Sequence, residues 1–320
     1  MSTRGCPLLL FTVITVFFLA TCQQPATASP YPDPIDLQLP LGTDSLGPDE
    51  LWFSTYFGGM GEEHPYGLAL DPDGNIVIAG IVWGDDLPNA TGFQTSHQGG
   101  NRDGFVAMLS PDGGIALWAT YLGGSSEDYV TDLAVDGEGA IYVLGRTQSD
   151  DFPTTSGAYD RTRSGEEYVD DGFVTKLRPD GSGPVYSTFL HGSRDDRPEG
   201  IVVDHVGRAH ICGETDSLDF PTTIGCYQNI SQRGDGEGFI TVLSANGDSL
   251  EASTYLGHTQ WDACHDIALG DDGRVYVAGA TNSWEFPVTS GVFQEDFGGG
   301  LRDAFCARLD GNLTKLERFT

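Results

Sequence analysis

A threonine recurs down this chain at nearly constant intervals: Thr55, Thr120, Thr188, Thr254 and Thr320 stand 65, 68, 66 and 66 residues apart. Similar residues surround four of them: Ser54-Thr55-Tyr56-Phe57-Gly58-Gly59, Ala119-Thr120-Tyr121-Leu122-Gly123-Gly124, Ser187-Thr188-Phe189-Leu190-His191-Gly192 and Ser253-Thr254-Tyr255-Leu256-Gly257-His258. A fixed period of this kind marks a repeat architecture, in which one unit cannot bury its apolar face alone and must stack on its neighbours.

Each repeat reads as four strands. An apolar triplet follows the threonine motif: Leu68-Ala69-Leu70, Leu133-Ala134-Val135, Ile201-Val202-Val203 and Ile267-Ala268-Leu269. Runs this short and apolar suit a strand buried on both faces. A glycine then stands at a constant offset (Gly74, Gly139, Gly207, Gly273), where a tight hairpin needs positive φ. The second strand covers Ile76–Ala79, Ile141–Leu144, Ala209–Cys212 and Val275–Ala278, ending at Gly80, Gly145, Gly213 and Gly279. A long loop carries Asp86-Leu87-Pro88, Asp151-Phe152-Pro153, Asp219-Phe220-Pro221 and Glu285-Phe286-Pro287. The third strand starts at Phe105, Phe173, Phe239 and Phe305, and its alternation predicts a half-exposed strand. A turn such as Pro179-Asp180-Gly181 leads to the fourth strand, which ends in the threonine motif. Four antiparallel strands, apolar inside and polar outside, describe a propeller blade. The expected fold is therefore all-β, a β-propeller of ~66-residue blades. A β-helix fits less well, because its rungs are shorter and need no hairpins.

With these motifs in place, the chain resembles the SBBP family of bacterial β-propeller repeats. The closest correspondence lies in Asp151-Phe152-Pro153-Thr154-Thr155-Ser156-Gly157-Ala158-Tyr159 and Asp171-Gly172-Phe173-Val174-Thr175-Lys176-Leu177. It extends over residues 51–320, in repeats 51–117, 118–185, 186–251 and 252–320. The third repeat departs most, with His191 in a glycine position and His205-Val206 in its first turn. The resemblance implies a propeller and a secreted or surface location, and implies no particular activity. Residues 51–57 read as a fourth strand with no blade before it, and 313–320 as the start of another. The expectation from this pattern is an incomplete ring, part of a longer propeller.

Residues 1–28 read as an export signal: Arg4 precedes an apolar run from Leu8 to Ala20. Two cleavage patterns compete. Leu19-Ala20-Thr21-Cys22 resembles a lipobox, which would lipidate Cys22, although Thr21 departs from it. Ala26-Thr27-Ala28 is an ordinary small-residue site. Residues 29–50 hold five prolines and read as a spacer. The net charge is −31, and Lys176 and Lys315 are the only lysines. Such acidity argues against nucleic acid or anionic membrane as partners, leaving a lipid anchor as the membrane link. Cys212, Cys226, Cys264 and Cys306 lie in the last two repeats and permit up to two disulfides.

Three acidic positions recur near the loops of one propeller face: Glu63, Asp128, Asp196 and Asp262; Asp86, Asp151, Asp219 and Glu285; Asp103, Asp171, Glu237 and Asp303. One reading is a cation site, with Glu63, Asp128, Asp196 and Asp262 as candidates for Ca²⁺, which takes carboxylate oxygens. The other is structural, since aspartates accept backbone N–H bonds in glycine-rich loops. His64, His191, His258 and His265 fall beside the first set, at differing offsets. No G-x-S-x-G elbow, P-loop or dinucleotide fingerprint occurs. No catalytic residue or organic cofactor is therefore assigned. The expected function is an exported, non-enzymatic scaffold binding protein or glycan. The alternatives are a hydrolase or lyase with a carboxylate/His site on the loop face, and a structural surface-layer component.

Overall fold

The computed structural model describes residues 53–164, 168–232 and 236–317. The segments read as export signal and spacer, Cys22 and Thr320 lie outside the described residues. One compact unit spans Leu51–Thr320. It is all-β and runs in chain order through four antiparallel sheets, each a propeller-like blade, without closing into a ring. The first sheet holds β1 (Glu62–Leu70), β2 (Ile76–Trp83), β3 (Asp103–Leu109) and β4 (Ala116–Leu122). The second holds β5 (Asp128–Val135), β6 (Ile141–Thr147), β7 (Asp171–Leu177) and β8 (Pro184–Leu190). The third holds β9 (Asp196–Val203), β10 (Ala209–Thr215), β11 (Glu237–Leu243) and β12 (Leu250–Leu256). The fourth has three strands among the described residues, β13 (Asp262–Leu269), β14 (Val275–Thr281) and β15 (Asp303–Leu309). Strand order equals chain order in every sheet.

Local chemistry explains the hairpins. Gly74, Gly139, Gly207 and Gly273 all have φ between +76° and +87°, as their constant offset predicts. In the first, Asp71 Oδ1 accepts the N–H groups of Asp73 and Asn75 at 2.9 and 2.8 Å. This is an Asx turn and not a metal loop. Each innermost strand also carries a bulge, between Pro65 and Gly67 in β1 and between Cys264 and Asp266 in β13. A bulge bends the strand and re-aims the side chains that follow it.

The core lies between sheets. One cluster joins Val77 and Val106 of the first sheet to Val130, Leu133 and Phe173 of the second. The next joins Tyr142 and Val174 to Ile201 and Phe239, and the third joins Cys212 and Ile240 to Cys264 and Ile267. Burying one such side chain contributes about 1.5–3 kcal/mol. The four cysteines among the described residues are free thiols, Cys212 and Cys264 buried in the third cluster and Cys306 exposed.

Burial does not follow the gradient expected from composition. Three of the four third strands are not half-exposed: every residue of β3 and β11 is buried, and β7 exposes only Lys176 in part, whereas β15 alternates as the sequence predicts. The outer strands β4, β8 and β12 are buried over their last five residues. The loop between second and third strands causes this. It folds back along the outer strand, with Ala119 donating to the Asn89 carbonyl and Phe189 to that of Asp160. The recurring threonine clasps that loop. Thr120 Oγ1 accepts the Gln94 N–H at 2.8 Å, Thr188 Oγ1 that of Asp160 and Thr254 Oγ1 that of Gln228, each also at 2.8 Å. Each hydroxyl in turn faces the carbonyl of the same loop residue, at 3.0–3.2 Å.

Replacing Thr188 by Val keeps the shape and leaves the half-buried Asp160 N–H without its acceptor. The expected cost is about 1–3 kcal/mol, read as a lower urea midpoint, with Thr188→Ser recovering most of it.

Candidate functional site

The three acidic positions converge where one sheet hands over to the next. The chain leaves an outer strand, crosses in five residues, and enters the next innermost strand at an acid. Such a crossing exposes backbone N–H groups that no ladder satisfies. The first acid turns back on them. Asp128 Oδ2 accepts the Gly124 N–H, Asp196 Oδ2 that of Gly192, and Asp262 Oδ2 that of His258, all at 2.7 Å. Glu63 does the same for Gly59 at 3.2 Å, but in an exposed setting. The second acid holds the next residue of the crossing. Asp151 accepts the Ser125 N–H and Oγ–H, Asp219 those of Ser193, and Asp86 the Met60 N–H. Glu285 instead lies 3.7 Å from His258. The third acid caps the loop before its own strand: Asp103 the Gln98 N–H, Asp171 that of Ser164, Glu237 that of Gln232 and Asp303 that of Gly298.

A second tier of donors was not singled out from sequence. Ser149, Ser217 and Ser283 each donate to the first acid at 2.9–3.0 Å, and Thr215 donates to Asp196. The signal was present as Thr147-Gln148-Ser149, Thr215-Asp216-Ser217 and Thr281-Asn282-Ser283, at one offset from the glycine ending the second strand. The first repeat has Val82 and Gly84 there, which matches the exposed setting of Glu63.

At each handover the third acid of one sheet meets the first acid of the next. A Cβ on Gly123 would come within 2.7 Å of Asp103 Oδ1 and 2.8 Å of Asp128 Oδ2, so a larger residue there requires the two carboxyls to move apart. Gly257 sits likewise between Glu237 and Asp262. Asp103, Asp128, Asp171 and Asp262 each keep one buried carboxyl oxygen without a hydrogen bond from the protein. Burial pushes Asp103 and Asp196 up to about 7 and Asp128 up to about 6, and it raises Asp171, Asp262 and Glu237 as well.

The middle handover differs because His191 replaces that glycine. Its Nδ1 lies 2.6 Å from the Gly192 carbonyl and 3.8 Å from Asp171, and its Nε2 lies 2.8 Å from the Thr162 carbonyl. Carbonyls only accept, so both ring nitrogens carry protons when both bonds form. Burial works against that charge, but the two carbonyls together with Asp171 and Asp160 outweigh it, and the His191 pKa is raised. Asp171, His191 and Asp196 bring one potential ligand atom each to within 4.8 Å of one another. An imidazolium bonded at both nitrogens has no lone pair for a metal. The raised pKa favours the cationic form of the ring between the carboxyls.

The other histidines do not join it. His64 and His265 lie in β1 and β13, and His265 pairs with Glu199. His258 lies in the last crossing.

These pKa values fix a sign. Carboxyls raised from 3.8 to about 6–7 hold protons in the folded chain that the unfolded chain has lost, so their contribution to stability falls as pH rises across that window. The melting temperature should be higher at pH 5.5 than at pH 8, and Asp103→Asn should flatten the difference. A melting temperature that climbs from pH 5.5 to 8 would contradict the assignment.

Comparison with known proteins agrees with the geometry. Residues 117–153 match the model of the SBBP β-propeller repeat. This stretch starts in β4, crosses the first handover and ends in the Asp151-Phe152-Pro153 loop. No curated protein matches the chain. A solved structure described as an unknown function protein from Dyadobacter fermentans is similar at 13% identity and a TM-score of 0.41, over 84% of this chain. The chain spans 66% of that protein's length. A threonine clasp and an acid handover thus fall in the one stretch, residues 117–153, that matches the SBBP β-propeller repeat.

Proposed function

We propose that this protein is an exported β-propeller scaffold that binds a protein or glycan at the cell surface through its loop face, without turning it over. The observation that carries this reading is the employment of the acids. Eleven of the twelve recurring carboxyls accept backbone N–H groups of the loops on this face. Groups so engaged make the face rigid and leave it poor in acid–base partners for a substrate. Large apolar side chains meanwhile stand exposed on the same loops: Met60, Leu218 and Trp284. Apolar groups on rigid loops favour association.

Export rests on the N-terminal sequence. Mass spectrometry of the mature protein distinguishes a lipidated Cys22 from a start at Ser29 after cleavage at Ala28. Ca²⁺ is not required in this reading, since the loop amides and the Ser and Thr hydroxyls already surround the first acids. Melting curves with and without EDTA should coincide, and a loss of several degrees on chelation would restore the cation role of Glu63, Asp128, Asp196 and Asp262.

One observation favours a second reading, a hydrolase or lyase: the half-buried His191 between the buried Asp171 and Asp196. A glycan and peptide array, scored for both capture and turnover, separates the two. Capture without turnover, weakened about tenfold by Trp284→Ala, is the expected result. Substrate consumption abolished by Asp196→Asn would overturn it.

A further inference from the structure

The hairpins that join third strands to outer strands share one form. Between β11 and β12 the Gly247 N–H bonds to the Ser244 carbonyl at 2.9 Å, and Gly247 itself has φ +69°. Gly113 and Gly181 make the same bond in the first and second sheets, to Ser110 and Arg178, with φ +67° and +68°. This is a type I turn closed by a left-handed residue. After β15 the left-handed place belongs to Leu313, at φ +55°, and its N–H bonds to the Asp310 carbonyl at 2.9 Å.

Contact between sheets decides which residue stands in that place. The Tyr186 ring of the second sheet lies so close over Gly247 of the third that a Cβ there would come within 2.3 Å of it. Trp118 of the first sheet covers Gly181 of the second in the same way. Between the third and fourth sheets the sizes are exchanged: Ala252 stands where Tyr186 does, and the buried Leu313 fills the space. Glycine at 247 is thus a packing requirement. It also carries a main-chain link between sheets, since the Gly247 carbonyl accepts the Tyr159 N–H at 2.8 Å.

That glycine has a chemical consequence for its neighbour. The residue before the left-handed place is exposed in all four turns: Asp112, Asp180, Asn246 and Asn312. Asn246-Gly247 is the one Asn-Gly pair in the chain. A glycine has no side chain to shield its amide nitrogen, so an asparagine before it closes on the main chain more readily than one before leucine. Asn312-Leu313, in the same kind of turn, is the natural control.

We propose that Asn246 is a site of self-modification that loosens the joint between the second and third sheets with time. The Gly247 nitrogen gives up its proton and bonds to Asn246 Cγ, ammonia leaves, and a five-membered imide results. Water then opens the imide at one of its two carbonyls. Opening at the side-chain carbonyl leaves an aspartate in a normal chain. Opening at the main-chain carbonyl routes the chain through the side chain, an isoaspartate with one more backbone carbon. The bond from Gly247 to Ser244 has to open first, so local opening of the turn sets the pace. The aspartate product is what the first two sheets already carry: Asp112 accepts the Gly114 N–H and Asp180 that of Ser182, each at 3.0 Å. The isoaspartate lengthens a short turn, moves Gly247 from beneath Tyr186 and draws its carbonyl away from the Tyr159 N–H.

Peptide mapping of the purified chain, fresh and after storage in mildly alkaline buffer, tests it. The peptide holding Asn246 should exchange its amide for an acid, with isoaspartate resolved from aspartate by retention and fragmentation. The peptide holding Asn312 should stay intact, and the urea-unfolded chain should convert Asn246 faster than the folded one. The isoaspartate fraction should unfold at a lower urea concentration than the fresh chain. Asn246→Asp should unfold near the wild-type midpoint, and Asn246→Ala should keep its fresh midpoint through the same storage. An Asn246 that stays intact in the folded chain, equal conversion at Asn246 and Asn312, or an isoaspartate fraction as stable as the fresh chain would overturn the proposal.

Discussion

A carboxylate turned back on the amides of its own crossing is the interaction on which this fold depends. Each sheet can form its ladder alone, but four sheets stack only if the chain passes between them in a few residues. That passage leaves N–H groups buried, and a buried donor without an acceptor costs about 1–3 kcal/mol. Asp128, Asp196 and Asp262 remove that penalty at the three internal crossings. The large negative charge, which first suggests a cation-gathering surface, is in good part this internal hydrogen bonding. The acids are spaced by the architecture that needs them, so their recurrence is a sign of construction before it is a sign of function.

The sheets were legible in the sequence because their determinants are local. Hairpin glycines at constant offset gave the turns, and the structure places all four at positive φ. Apolar triplets gave the innermost strands, but not the bulge in each, since Pro65 and Val130 share no residue type that would mark it. Burial was misread where it depends on partners distant in sequence. The Phe173–Leu177 alternation looked half-exposed because the loop carrying Phe152 and Tyr159, and the strand carrying Phe189, could not be seen to cover it.

The site was legible as a set of positions and not as an arrangement. Three recurring acids could be aligned, yet nothing in the spacing says that Asp103 of one repeat faces Asp128 of the next across Gly123. That meeting spans two sheets. The Thr-x-Ser pairs could have been found by the same alignment, and the threonine at the start of the motif could have been given a partner. Both were passed over because hydroxyls are common in loops and carry no charge to attract notice. His191 was visible as a departure, but its meaning required the two carbonyls that flank it.

The replacement of one glycine by histidine also bears on how the molecule comes apart. The flanking handovers pair carboxyls whose hold on protons burial strengthens, and the middle one adds an imidazolium beside Asp196, which burial likewise raises to about 7. As the surroundings turn alkaline, the carboxyls and the imidazolium all give up their protons, and every joint becomes more negative. The stack is therefore held most firmly in mildly acid surroundings, and His191 adds one more proton to those that alkali removes.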